Sequence, residues 1–136
     1  MKNGPILLDG AIGTSLWNKS GDHSPVWIYN IEKPDIVAQL HQEYIDAGSE
    51  IIMANTFAAN RPSVERSSDY TVRDVVSSAV RIAKEAAAGR VKVGLSIGPL
   101  PTLIEPYGPL SQEEASEIFA EQISSGMSKK PDLIYM

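Results

Sequence analysis

The sequence predicts an α/β fold in which parallel strands alternate with helices. Two observations predict it: four short apolar runs are separated by segments with helical periodicity, and polar or turn-forming residues follow the first three runs. The runs are apolar almost throughout, which is typical of strands in a parallel sheet. Two architectures share this order, an open doubly wound sheet and an arc of a (β/α)8 barrel, and both place ligands at the carboxyl ends of the strands.

The predicted elements follow one another in the order β-α-β-α-β-α-β. Local signals set the helix boundaries: a proline in a first turn, and capping-box spacing at Thr71 with Asp74 and at Ser111 with Glu114. Residues 13–33 are rich in Asn, Ser, Gly, Asp and Pro, which predicts a long loop anchored by Trp17, Trp27 and Tyr29. The expected strands are Ile6–Leu8, Ile51–Met53, Val91–Ile97 and Leu133–Met136, and the expected helices are Pro34–Ala47, Thr71–Gly89 and Ser111–Ile123.

Composition excludes several classes of function. The 136 residues suit one domain, and a formal charge of −5 argues against binding to nucleic acid or an anionic membrane. The sequence has no Cys, which excludes disulfides, a cysteine nucleophile and thiolate metal ligands in this chain. Its two histidines cannot form a zinc site alone, and we expect His41 to lie on the surface or to pack between helices. With neither a signal peptide nor a transmembrane run, the expected location is the cytoplasm.

Three predicted strand ends carry polar or glycine residues, and parallel strands bring such ends to one rim. The segments are Asp9-Gly10-Ala11-Ile12-Gly13-Thr14, Asn55-Thr56-Phe57 and Ser96-Ile97-Gly98-Pro99. Together they supply a carboxylate, an amide, hydroxyls and backbone N–H groups, as a site for a small polar ligand requires. We expect Gly10 and Gly13 to let the backbone turn closely enough to bind a carboxylate. Each segment alone also fits an ordinary turn, loop cap or loop breaker.

In this order and at this spacing, the segments resemble a known family. Residues 8–14 resemble the opening "DGAMGT" element of the homocysteine S-methyltransferase family, and residues 96–99 are similar to its "GSxGP" element. The resemblance continues through residues 33–37, 41–44, 47–49 and 51–57, and it covers essentially the whole chain. It implies a (β/α)8 barrel of which residues 1–136 form the first half, ending within the fourth strand.

The resemblance implies transfer of a methyl group to the sulfur of homocysteine, which makes methionine. Family members hold zinc on three cysteines in "GxNC" and "GGCC" elements of late strands, and the metal converts the thiol to a thiolate. Neither element occurs here, so we expect this chain alone to hold no cofactor and to transfer no methyl group. The donor stays open among a methylcorrinoid protein, S-methylmethionine and S-adenosylmethionine. Ala58 stands where betaine-using members carry a tyrosine, which argues against betaine.

Matching motifs imply substrate-binding residues, with no catalytic or metal-binding residue in this chain. Asp9 corresponds to an aspartate near the homocysteine amino group, and the backbone of Gly10, Ala11, Ile12 and Gly13 corresponds to the turn that faces the carboxylate. The second and third strand ends contribute Asn55, Thr56 and Ser96. Two alternatives stay open: an inactive half-barrel that forms a homodimer through exposed sheet edges or binds another partner, and an unrelated flavodoxin-type sheet.

Overall fold

The computed structural model describes residues 4–136 as a parallel sheet with helices packed against it. In chain order, the elements are α1 (Gly13–Ser20), a 3-10 turn (Val26–Ile28), α2 (Tyr29–Glu32), α3 (Pro34–Asp46), β1 (Ile51–Met53), α4 (Arg61–Ser67), α5 (Val72–Ala87), β2 (Lys92–Ser96), α6 (Gln112–Met127) and β3 (Leu133–Tyr135). The predicted strands at 51–53, 91–97 and 133–136 are therefore confirmed, each within one residue at either end.

The strands lie side by side in the order of the chain. β1 pairs with β2 from Ile51 opposite Lys92, and β2 pairs with β3 from Gly94 opposite Leu133, both in parallel. The chain before β1 extends this order, because Leu8 forms a parallel bridge with Ile51. A flavodoxin-type sheet places its first strand between the second and the third, so that alternative is wrong for this chain.

The prediction of a buried first strand is wrong in extent and in burial. The pairing at Leu8 is a single bridge, and the side chains of Ile6, Leu7 and Leu8 are 65%, 54% and 40% exposed. The reason is position: the segment lies at an edge of the sheet. The hydrophobic core instead joins the buried side chains of β1 and β2 to the apolar face of α5.

The prediction of a long loop at 13–33 is also wrong, because this segment contains α1, the 3-10 turn and α2. These elements are short, so their helical periodicity is hidden among polar residues. The aromatic anchors behave as expected: Trp27 and Tyr29 are 3% and 1% exposed, and the Trp17 indole donates to the Ser24 carbonyl at 2.9 Å. Helix α4, which Asn60 caps, was not predicted from the sequence.

The three long helices confirm their sequence signals. Pro34 begins α3, the Thr71 hydroxyl accepts from the Asp74 N–H at the start of α5, and Ser111 with Glu114 forms a complete capping box on α6. His41 is fully buried in α3, which agrees with a packing role. No helix within residues 4–136 is both long enough and apolar enough to cross a bilayer.

Candidate functional site

A cavity of about 410 Å³ opens where β1, β2, β3 and the segment at Leu8 end. Its lining includes six of the eight predicted substrate-binding residues, which are Asp9, Gly10, Ile12, Gly13, Asn55 and Ser96. The remaining walls are largely apolar and comprise Leu8, Val26, Met53, Phe57, Ala58 and Tyr135. The parallel order of the strands thus brings three separate sequence segments to one rim, as the sequence predicts.

Asp9 supplies the carboxylate of this cavity. It follows the bridge at Leu8, where its N–H donates to the Ile51 carbonyl at 3.0 Å. Its Oδ2 accepts from the Met53 N–H at 2.8 Å, which holds the side chain across the end of β1. Burial raises the pKa of the Asp9 carboxyl from 3.8 to about 6 and outweighs the opposing effect of the backbone hydrogen bonds from Met53 and from Asp9 itself.

The turn after Asp9 leads directly into helix α1. The first backbone hydrogen bond of this helix runs from the Leu16 N–H to the Ile12 carbonyl, and Ile12 provides no side-chain cap. The N–H groups of the first turn, beginning at Gly13 in the cavity wall, therefore lack intrahelical partners. Such a helix end attracts anions, including carboxylates.

The two glycines of this turn differ from the prediction. Neither has a positive φ, so the turn does not depend on a left-handed backbone at either position. Gly10 instead lies close to a neighbour, because a Cβ there would lie 3.0 Å from the Tyr44 hydroxyl, which would have to shift by a few tenths of an ångström. That hydroxyl donates to the Ala11 carbonyl at 2.7 Å. A Cβ on Gly13 would make only an ordinary contact with Val26.

Asn55 presents a buried amide two residues beyond β1. Its Nδ2 donates to the Val26 carbonyl at 2.7 Å and to Oδ1 of Asn30 at 2.9 Å. Asn30 is 1% exposed and lies in α2, within the segment predicted to be a loop. Neither Asn30 nor Val26 was predicted as a site residue, because no local pattern distinguishes them from the other residues of the segment predicted to be a loop.

Thr56 and Ala11 do not line the cavity. Thr56 is fully buried, and its hydroxyl donates to the Ser96 carbonyl at 2.7 Å and accepts from the Ser96 N–H at 3.1 Å. It thereby joins the ends of β1 and β2 and holds Ser96 in the wall. Ala11 has an exposed side chain and takes part through its carbonyl, which anchors the turn to α3.

The residues present do not fit a zinc site. The sequence has no Cys, and residues 4–136 contain no group of three or more His, Cys, Asp or Glu side chains able to hold a metal ion. His41 cannot contribute from its position, since its ring is enclosed in the helix layer and burial lowers its pKa to about 4.

A larger cavity of about 840 Å³ lies at the opposite end of the sheet. Both acidic and basic side chains line this cavity. Among them, Lys84 forms an ion pair with Asp132, with 3.5 Å between Nζ and Oδ2. Arg90 donates to the Gln42 side chain and to the Ala86 carbonyl. Lys84 and Arg90 are thus already engaged by protein groups, and Lys92 is the third cation of this lining, whereas the smaller cavity joins a carboxylate, an amide and a helix end.

The fold and the cavity define a class of protein: a parallel α/β protein with a cavity, lined by a carboxylate, an amide and a helix N-terminus, at the carboxyl ends of its strands. A sequence profile of the homocysteine S-methyltransferase family matches residues 6–136. The chain therefore belongs to the homocysteine S-methyltransferase family.

Curated relatives and solved structures agree with this membership. The chain is similar to betaine–homocysteine S-methyltransferase 1 of Pongo abelii, with 26% identity over 110 residues, covering 76% of this chain and 26% of the relative. It is also similar to homocysteine S-methyltransferase 1 of Zea mays, with 27% identity over 88 residues, covering 61% of this chain and 27% of the relative. This chain thus spans about a quarter of the length of these relatives.

The structural likeness extends over nearly the whole chain. The metallated form of the homocysteine methyltransferase of Escherichia coli superimposes with a TM-score of 0.75 and 17% identity, covering 97% of this chain and 53% of that protein. At this identity the likeness shows a common fold.

Proposed function

We propose that this chain forms the first half of a (β/α)8 barrel and binds the amino-acid end of homocysteine at the carboxyl ends of its strands. One observation carries the proposal. Asp9, Asn55, Ser96 and the open N-terminus of α1 line one cavity in a member of the homocysteine S-methyltransferase family. The sequential strand order and the fold shared with a homocysteine methyltransferase support the half-barrel architecture.

The cavity offers complementary partners for both charged groups of an amino acid. The Asp9 carboxylate suits the ammonium group, and the free N–H groups at the start of α1 suit the carboxylate. The apolar walls formed by Met53, Phe57 and Tyr135 suit the methylene chain and the sulfur. Binding would bring an ammonium close to Asp9 and would lower the raised pKa of that carboxyl.

The role proposed for this chain is binding and orientation of homocysteine. Activation of the thiol by zinc needs ligands that these residues do not supply, and we propose no methyl transfer by the chain alone. Ala58 lies in the cavity wall at the position where betaine-using members carry a tyrosine, so we do not propose a betaine donor.

Calorimetric titration with L-homocysteine, under reducing conditions and with a chelator present, tests this function. We expect saturable binding, because the groups named above need no metal. The deamino analogue 4-sulfanylbutanoate is the control, and it should bind at least tenfold more weakly because it lacks the ammonium group, a difference of about 1.4 kcal/mol. Absence of heat at millimolar homocysteine would refute the proposal.

A second candidate function is self-association. Apolar side chains are exposed at both edges of the sheet, with Leu7 54% exposed at one edge and Ile134 43% exposed at the other. Two copies related by a twofold axis would pair each edge with the opposite edge of the partner in parallel.

Sedimentation velocity should then show a dimer that Ile134→Lys dissociates. Tyr107→Lys, which changes an 85% exposed residue in the loop between β2 and α6 and outside both edge strands, should leave the dimer intact. A wild-type monomer at all concentrations would exclude this candidate.

A further inference from the structure

Asn30 and Asn55 form a closed pair of buried amides behind the cavity. Asn30 Nδ2 donates to the Asn55 backbone carbonyl at 2.9 Å and to the Val75 carbonyl at 3.3 Å. Asn30 Oδ1 accepts from Asn55 Nδ2, which also donates to the Val26 carbonyl. Only Asn55 of this pair lines the cavity, and Asn30 is 1% exposed behind it.

These hydrogen bonds determine the orientation of both side-chain amides, that is, on which side of each amide the oxygen and the NH2 group lie. A backbone carbonyl can only accept a hydrogen bond, so the Asn55 and Val75 carbonyls require the NH2 group of Asn30. Asn30 must then present its oxygen to Asn55. This oxygen and the Val26 carbonyl together require the NH2 group of Asn55 on that side. The side-chain oxygen of Asn55 is left on the opposite side of the amide.

That oxygen faces the ligand space. Oδ1 of Asn55 accepts no hydrogen bond within residues 4–136, and it is not among the enclosed side-chain atoms that lack a partner. It is therefore accessible from the cavity that Asn55 lines. The Asp9 carboxylate lines the same cavity. The cavity thus combines two acceptor groups, one charged and one neutral, which favours a ligand with several N–H donors.

We infer that Asn30 is a positioning residue that fixes the Asn55 amide with its oxygen toward the cavity, and that this oxygen makes the site select ligands with an ammonium group. The inference deepens the proposed function and depends on it, since the ammonium is that of the homocysteine amino group. The Asn30 side chain bonds to Asn55 at two points, its side-chain NH2 and its backbone carbonyl. Removal of the Asn30 amide therefore breaks both hydrogen bonds to Asn55.

The test compares two ligands across matched variants by calorimetry. The ligands are L-homocysteine and 4-sulfanylbutanoate, and selectivity is the ratio of their affinities. We expect Asn55→Leu to reduce selectivity roughly tenfold, by loss of one hydrogen bond to a charged group, and Asn30→Ala to reduce it severalfold. Asn60→Ala is the matched control: Asn60 is equally buried and caps α4, but it does not line the cavity. It should leave selectivity unchanged, because a purely structural loss weakens both ligands alike.

The outcomes separate this inference from the proposed function. A wild-type chain that binds neither ligand would overturn both. A wild-type chain that binds homocysteine selectively, with Asn30→Ala equally selective, would overturn the inference alone. If Asn30→Ala does not fold, NMR of the wild-type Asn55 side-chain NH2 decides. Slow hydrogen exchange and no contacts from these protons to homocysteine support the inference, whereas contacts to the ligand would show the NH2 facing the cavity and overturn it.

Discussion

Replacement of Asp9 by Ala is expected to weaken homocysteine binding roughly 30-fold or more. The variant removes the carboxylate that pairs with the ligand ammonium, and a charge-assisted hydrogen bond of this kind contributes about 2 kcal/mol. Asp9→Asn should lose nearly as much, because it keeps an oxygen for the Met53 N–H but carries no charge. Calorimetric affinities of the three proteins at pH 7.5 measure the effect. Unchanged affinity in both variants would place the ammonium elsewhere.

The pH dependence of the wild type provides an independent check on the same carboxylate. Because the pKa of Asp9 is raised to about 6, the group is charged at pH 7.5 and becomes protonated as the pH falls through 6. Homocysteine affinity should fall over that interval in the wild type. In Asp9→Asn the affinity should be low and flat over the same interval, since no charge is there to lose.

Thermal unfolding controls for damage to the fold. A carboxyl whose folded pKa is raised above its unfolded value contributes stability that is fully present below pH 3.8 and is lost as the pH rises through 6. The charged Asp9 therefore lowers the stability of the unliganded protein at pH 8. Asp9→Asn should consequently have a higher Tm than the wild type at pH 8, and the two should converge toward pH 4. A variant that is more stable yet binds less has lost a ligand contact.

Replacement of Gly98 by Ala is expected to destabilise the protein by about 1–3 kcal/mol, which lowers Tm by roughly 5–10 °C. A Cβ at this position would lie 2.6 Å from the Phe57 carbonyl and 2.8 Å from its ring. The Gly98 N–H donates to that same carbonyl, so the two loops cannot separate without breaking the bond. A shift that relieves the overlap between the new Cβ and Phe57 would also displace Phe57, which lines the cavity. Gly98→Ala should therefore weaken homocysteine binding as well.

Differential scanning calorimetry measures this effect, and Gly4→Ala is its control. A Cβ on Gly4 would meet no atom within 4 Å, so that variant should unfold with the wild type. An unchanged Tm in Gly98→Ala would show that the approach of the two loops is not tight. Gly98 was interpreted from the sequence as an ordinary loop breaker, and the structure instead gives it a steric role at the rim.

The sequence predicted the rim from local signals, but it left the strand order open between a doubly wound sheet and an arc of a barrel, and only the family resemblance implied the barrel. Asp9, Asn55 and Ser96 stand directly after apolar runs, and parallel pairing brings such positions together. The polar pair Thr56 and Ser96 illustrates the limit of this reasoning. Thr56 follows β1 and Ser96 ends β2, but the Thr56 hydroxyl bonds to the Ser96 backbone between those strands and does not reach the cavity.

What the sequence did not predict depends on contacts between distant segments. Asn30 lies in a four-residue helix whose pattern resembles a polar loop, and its partners at 55 and 75 are far away in the chain. The close contact at Gly10 is with Tyr44 on α3, whereas the sequence prediction related this glycine to the turn itself. The exposure of Ile6 to Leu8 reflects their place at a sheet edge, which an apolar run alone does not reveal.

Mapping L-homocysteine onto the wild-type chain by ¹H–¹⁵N NMR tests the central claim most directly. The titration is made with reductant and chelator present, so that any binding belongs to the protein alone. We predict saturable shifts of the backbone amides around the cavity, at Gly10, Gly13, Asn55 and Ser96, with those at Gly89 and Arg90 beside the opposite cavity unchanged. Shifts confined to the opposite end of the sheet, or none at millimolar homocysteine, would contradict the proposed site.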